Sequence, residues 1–429
     1  SLRNCATISP NEFGDIQPMT NTSTDYTSYR WYILGLATLT MIMTSAVPGI
    51  CMAVLFDEIS EDLDLSLAQV GLIWGIGSLP GLVMGLVGGA IGDWFGPKRI
   101  LTAACLLVGS TGALRGLSTN FVTLAAASGL LGLWASSVPM NIFKTCGLWF
   151  PRQQLGLANG VISMGMALGF MVSSLISATL LSPSLGSWRY VLALYGAIAM
   201  CLCIPWYFTR PAPATVDLFA GDPRHRSLGE TLSYISRIRK MWLMGWAILG
   251  IGGCIQGTLG YLPLYLRDMG WPQSRADGAA ATFHLASLIL VIPIALWSDK
   301  VGSRKKVLVA AALMISTGVG LLSVTEGILV WGAVIMTGMV RDGFMALFMT
   351  MIIETDGVGA AYAGTATGFV MVFSGLGNLL APPLGNSLAR IAPSLPFVFW
   401  ATLAVVGLFG LYSAKEEAVG KALEAQPTV

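Results

Sequence analysis

Charge is what this sequence has least of. Lys, Arg, Asp and Glu together make up 11% of its 429 residues, and there are two histidines. A chain so poor in charge cannot cover a water-facing surface, which excludes an ordinary soluble protein. A net charge of +2, with no basic patch interleaved with aromatics, excludes a nucleic-acid partner. The seven cysteines lack CxxC spacing and fall mostly inside apolar runs, which argues against a disulfide framework and a zinc site. They read as buried free thiols. No HExxH, GxSxG or carboxylate-rich metal pattern occurs, so neither an enzyme nor a cofactor is expected. The absence of G-x-x-x-x-G-K-[ST] argues against a nucleotide-driven pump.

Apolar sequence is abundant instead. The chain is 55% hydrophobic with a mean hydropathy of +0.72. Runs of about 20 residues, the length that crosses a bilayer, recur twelve times, six on each side of a polar stretch. This predicts an all-α membrane protein of twelve transmembrane helices. Residues 1–29 read as a tail, 30–209 as a six-helix bundle, 210–240 as a linker, 241–413 as a second bundle and 414–429 as another tail. Within the linker, Ser227-Leu228-Gly229-Glu230 is a capping-box pattern that starts a short amphipathic helix on the inner membrane surface. In the first apolar run, Thr44, Ser45 and Pro48 predict a bend beside a polar cavity.

The distribution of bases sets the topology. Arg115, Arg189, Arg267, Arg275 and Arg390 fall on one side and Arg341 falls mid-membrane, whereas all other Lys and Arg fall on the side of the termini. The acidic loop from Asp57 to Asp64 lies opposite. By the positive-inside rule both termini are cytoplasmic, in the cell's inner or plasma membrane.

Two polar gaps carry related motifs. Gly89-Ala90-Ile91-Gly92-Asp93-Trp94-Phe95-Gly96-Pro97-Lys98-Arg99 has a weaker copy from Ala295 to Lys305, with Asp299 placed 206 positions after Asp93. Leu157-Ala158-Asn159-Gly160 and Thr365-Ala366-Thr367-Gly368 give a second offset of 208. Two agreeing offsets mark a six-plus-six repeat. The first motif follows G-x-x-x-D-x-x-G-x-[KR]-[KR] and resembles the loop between helices 2 and 3 of the major facilitator superfamily, over about residues 30–413. The resemblance implies two pseudo-symmetric six-helix bundles and a cavity lined by helices 1, 4, 7 and 10. It also implies a conformational latch of Gly89, Asp93, Gly96 and Lys98, with Asp299 and Arg304 in the second copy. Trp94 stands where the family often has a base.

Within that family the subgroup signals are sparse. Helix 5 lacks the Gly-Pro pair of drug–proton antiporters, helix 2 lacks the arginine of nitrate porters, and Arg210-Pro211-Ala212-Pro213 replaces the sugar-porter pattern. Trp149-Phe150-Pro151-Arg152 is similar to organic-anion and cyanate-type porters.

Few residues inside the runs can carry chemistry. An ionisable group at the bilayer centre costs roughly 2.5 to 3.5 kcal/mol, so Arg341 must face protein or water. It either binds a carboxylate-like anion through paired hydrogen bonds or fixes helix packing through an internal ion pair. Asp342 follows it but points about 100 degrees away on a helix, so each is expected to need its own partner. Asp342 and His284 are the candidate proton-coupling groups. Asn141, Gln256 and Lys144 are candidate cavity residues, although Lys144 could equally snorkel to the interface. Trp134 and Trp74 suggest a rival, an aromatic cage for a quaternary ammonium such as choline. The reading is a secondary transporter, working as a monomer, that moves a small organic anion with protons by alternating access.

Overall fold

The computed structural model describes residues 22–81, 84, 95–210 and 228–414. All regular structure among them is helical. In chain order the helices are α1 (Ser28–Leu63), α2 (Leu67–Gly81), α3 (Pro97–Arg115), α4 (Phe121–Trp149), α5 (Gln154–Leu185), α6 (Trp188–Phe208), α7 (Arg239–Asp268), α8 (Gln273–Val301), α9 (Arg304–Leu321), α10 (Ile328–Ile353), α11 (Gly359–Leu388) and α12 (Leu395–Ser413). Among the described residues, nine of these are long and apolar enough to cross a membrane. α2, α3 and α9 complete the order of twelve. The side that carries Ser28 and Ser413 is called the termini side below, and the other the far side.

Local chemistry starts and stops these helices. Ser66 opens α2 with a reciprocal cap: Gln69 N donates to Ser66 Oγ at 3.4 Å, and Ser66 N donates to Gln69 Oε1 at 2.9 Å. Asn120 does the same for α4, accepting from Thr123 N at 3.0 Å. In α1 the turn Ile42–Ala46 is π-helical and Pro48 follows it. Proline cannot donate one turn back, and the widened turn absorbs the lost bond. The irregular turn thus falls at Thr44, Ser45 and Pro48, where the sequence predicts a bend.

The six-plus-six repeat is visible in the turns. Gly96 before α3 and Gly302 before α9 both have left-handed backbone, with φ of +78° and +67°. Beyond each turn a lysine reaches the end of a later helix. Lys98 Nζ donates to Thr209 O, just past α6, at 2.5 Å. Lys305 Nζ donates to Tyr412 O and Ala414 O, at the end of α12, each at 2.6 Å.

The halves meet most closely along α2 and α11, where glycine lets two backbones touch. A Cβ at Gly75 would lie 2.7 Å from the carbonyl oxygens of Asn378 and Leu379, and one at Gly71 would lie 2.7 Å from the Pro382 backbone. A facing backbone cannot rotate away as a side chain can. Gly75→Ala should therefore destabilise the protein by about 1–3 kcal/mol, seen as a lower unfolding temperature in detergent. Gly129→Ala, where a Cβ meets nothing within 4 Å, should leave that temperature unchanged.

The expected linker helix spans Leu228–Ser236 and packs against protein: Ile235 is fully buried and the Tyr234 ring lies 5.2 Å from that of Tyr362. One expectation is corrected. Cys201 is exposed, whereas Cys51, Cys105, Cys146 and Cys254 are buried thiols as expected. Residues 211–227 of the linker and both tail segments, 1–21 and 415–429, lie outside the described residues.

Candidate functional site

A cavity of about 520 Å³ lies where the halves meet. α1, α2 and α4 form most of its wall, and α7 and α11 close it with Gln256 and Asn378. Thr44, Ser45 and Pro48 line it because the π turn and the proline open α1 there. No acidic residue is among its described lining residues.

One cation is. Arg115 ends α3 and is 4% exposed. Sequence position assigned it to a membrane rim, but the far-side turn sends its side chain inward. That turn is held from outside: Arg189 Nη1 donates to Gly116 O at 3.2 Å and Ser118 O at 2.5 Å, and Arg189 pairs with Asp62 at 2.6 Å. Arg115 Nη1 donates to Pro48 O at 3.3 Å, and its Nε has no hydrogen-bond partner. No carboxylate among the described residues pairs with it. Ser45 Oγ and Ser128 Oγ, from two other lining residues, are also buried without partners. Buried polar atoms are normally satisfied. A guanidinium and two hydroxyls belong to residues that line one cavity, and their chemistry is that of donors to an anion.

The structure separates the residues singled out in the sequence. Gln256 lines the cavity, and its carbonyl accepts from Trp74 Nε1 at 2.8 Å. Trp74 also lines it, with its ring edge-on to Phe56 at 5.9 Å. Trp134 is not in the wall, so the two tryptophans do not converge into a cage. Asn141 is not in the wall either. It is 1% exposed and donates to Ser137 O of its own helix at 2.8 Å, because its position turns it into the first bundle. Lys144, one turn further, also lies outside the wall.

Arg341, Asp342 and His284 form a second cluster. Contrary to expectation, Arg341 Nη1 reaches Asp342 Oδ1 at 3.1 Å. The 100° between neighbouring Cβ directions is spanned by the length of the arginine side chain. Asp342 N also donates to Ser287 Oγ of α8 at 3.1 Å. His284 is 1% exposed with neither ring nitrogen partnered, and it stacks on Phe170 at 5.0 Å. The guanidinium of Arg341 lies 5.4 Å from the same ring. Phe170 also borders the cavity wall, since a Cβ at Gly49 would lie 3.7 Å from it. One aromatic ring thus touches the wall of the cavity and the charged cluster.

The expected latch is only partly described. Gly89 and Asp93 lie outside the described residues, as does the side chain of Asp299. Gly96 makes the turn before α3 and Lys98 ties that turn to α6, while Arg304 Nε bonds Glu354 Oε2 at 2.7 Å within the second half.

A charged seam that sequence reading missed closes the far side. Arg267, at the end of α7, donates from Nη2 to Val54 O of α1 at 2.9 Å and to Asp277 Oδ1 of α8 at 2.5 Å. Its Nη1 lies 3.6 Å from Asp57. Asp277 Oδ2 accepts from Thr179 Oγ1 of α5 at 2.8 Å, and Gln273 Nε2 donates to Ala178 O at 3.0 Å. Asp277 is fully buried. The polar stretch from Gln273 to Asp277 looks like a loop ahead of the apolar run, but α8 already starts at Gln273, after Pro272. The missed signal is the spacing of Gln273 and Asp277, one helical turn apart on one face.

The model of the Major Facilitator Superfamily matches residues 33–361 and 273–428. A probable sulfoacetate transporter, SauU, of Cupriavidus necator is 22% identical over 90% of this chain and 93% of its own. The hexuronate transporter of Bacillus subtilis is 25% identical over 49% and 50%. A solved bacterial homologue of the human lysosomal transporter Spinster, inward-facing and occupied, superposes with a TM-score of 0.73 at 16% identity, covering 90% of this chain and 97% of that one. The chain is a multi-pass membrane transporter and not an enzyme, and it belongs to the Major Facilitator Superfamily.

Proposed function

We propose that the protein is a secondary transporter of a small organic anion, carboxylate- or sulfonate-like, moved with protons by alternating access across the plasma membrane with both termini cytoplasmic. One observation carries the anion. The central cavity presents a buried guanidinium, Arg115, that has no carboxylate partner among the described residues. Burying an unpaired charge is costly, and an anionic substrate offsets that cost each time it binds. Sulfoacetate and hexuronate, the cargoes named for two relatives, are both small organic anions.

Alternating access is supported by where the halves are tied. The bonds of Arg267, Gln273, Thr179 and Trp74 and the α2–α11 contact all lie between mid-membrane and the far side. Asp342 and His284 remain the groups for proton binding beside Arg341, one ring away from the cavity.

The test is thermal stabilisation of purified protein across carboxylates, sulfonates, sugars and quaternary amines, followed by flux in proteoliposomes. Small anions should stabilise, and their uptake should saturate, show counterflow and rise when the uptake side is acidified. Stabilisation by quaternary amines alone would overturn the reading.

A further inference from the structure

We infer that Asp277 is a gating carboxylate: ionised, it holds the far-side seam shut, and on taking a proton from the far-side solution it lets the seam part. The inference rests on the alternating-access reading and adds to it a residue near the start of α8.

The side chain of Arg267 is 8% exposed. A guanidinium is never deprotonated in a protein, so its burial depends on its partners. Asp277 supplies the full countercharge at 2.5 Å, and the same guanidinium nitrogen then also reaches Val54 O across the seam. The other carboxylate oxygen accepts from Thr179, again across the seam. An ionised carboxylate accepts on both oxygens, and a protonated one loses an acceptor site and its charge.

With Asp277 neutral, Arg267 keeps one backbone carbonyl and Asp57, which is 42% exposed and 3.6 Å away. A buried cation so poorly paired is strongly unfavourable. Admitting water between the halves relieves it. Protonation therefore favours the far-side-open state, the sign required for a proton that enters with its substrate.

The other charged groups around Asp277 do not duplicate it. Glu58 of α1 accepts from Ser182 within the first half. Asp57 is partly exposed, and Asp268 of α7 and Arg275 of its own helix are exposed. Asp277 alone among them is fully buried and bonded both to Arg267 and across the seam.

The experiment places spin labels at Leu117→Cys and Ile391→Cys in a cysteine-free background. Both positions are exposed, at 75% and 76%, on the far side of opposite halves. As pH falls, the unmodified gate should lose its short-distance population in favour of longer distances. Asp277→Asn should show the long distances at every pH, and Asp277→Glu should keep the response. Thr179→Val, which leaves both charges in place, should move the transition to higher pH, because a donor to the ionised carboxylate is gone. An Asp277→Asn protein that keeps the original pH response, or a Thr179→Val midpoint that does not move, overturns the gate. The same preparations separate the two readings. Distances that follow pH in a protein that moves no anion sink the anion reading alone, and anion uptake with distances indifferent to pH sinks the gate alone.

Discussion

Replacing Arg115 by glutamine lowers anion affinity on the order of a hundredfold. Two charge-assisted hydrogen bonds of about 1.5 kcal/mol each are lost, and each 1.4 kcal/mol is tenfold. The same substitution leaves the empty protein as stable as before or more stable. Arg115 bonds Pro48 O and the uncharged thiol of Cys51 and has an unpartnered Nε, so removing it strands no counter-ion and ends the burial of a charge that lacks one. This opposition, function lost while stability holds or rises, marks a group kept for its ligand. Arg115→Lys keeps the charge without the planar fork and should fall between the two. Arg341→Gln should behave in the opposite way, because it strips Asp342 of its cation. Its mark is a lower unfolding temperature without ligand. The measurements are anion titration and thermal unfolding of the same preparations, and a destabilised Arg115→Gln would mean that this arginine serves packing.

Removing the side chain of Arg267 should have the largest effect on stability. Arg267→Met leaves Asp277 buried and uncompensated, which costs about 3–5 kcal/mol for a pair of this kind. The unfolding temperature in detergent should fall by several degrees. The double variant Arg267→Met, Asp277→Leu should recover most of the loss, since apolar residues of similar volume often replace a buried pair without net cost. Recovery isolates the coupling between the two residues from the effect of either one alone. A double variant no better than the single one would show that Asp277 is not the countercharge that matters. The neighbouring pair Arg189–Asp62 provides the contrast. Its side chains are 31% and 46% exposed, and breaking it should cost about 1 kcal/mol or less.

The parts of the fold that were legible in the sequence are those set by local chemistry. Twelve apolar runs needed only the requirement that a backbone in lipid satisfy its own hydrogen bonds. Thr44, Ser45 and Pro48 marked the irregular turn of α1, because a proline beside polar side chains weakens a helix wherever the chain goes next. The repeat was readable twice over, from Asp93 and Asp299 and from the Gly160 and Gly368 segments, and the lysine ties beyond Gly96 and Gly302 repeat it in space. Gln256 and Trp74, singled out in the sequence, both line the cavity.

The misplaced residues share a cause. Hydropathy gives the depth of a Cα atom but not the direction of a long side chain. Arg115 was read as a rim residue and reaches inward, and Arg341 was read as separated from Asp342 and folds back to it. Asn141 turns into its own bundle and away from the cavity wall. Asp277 was hidden by a polar first turn that resembles a loop until the rest of α8 is in place.

From the sequence alone came the membrane class, the helix count, the repeat and the resemblance to the superfamily, because each depends on composition and on spacing along one chain. Which arginine faces the cavity without a partner, which carboxylate is sealed in the seam, and which ring stands between the cavity and the Arg341 cluster were decided only by tertiary structure. Those properties belong to pairs of helices far apart in the chain, such as α1 with α7 and α5 with α8. Their electrostatics follow from burial and partnership, which no single segment carries.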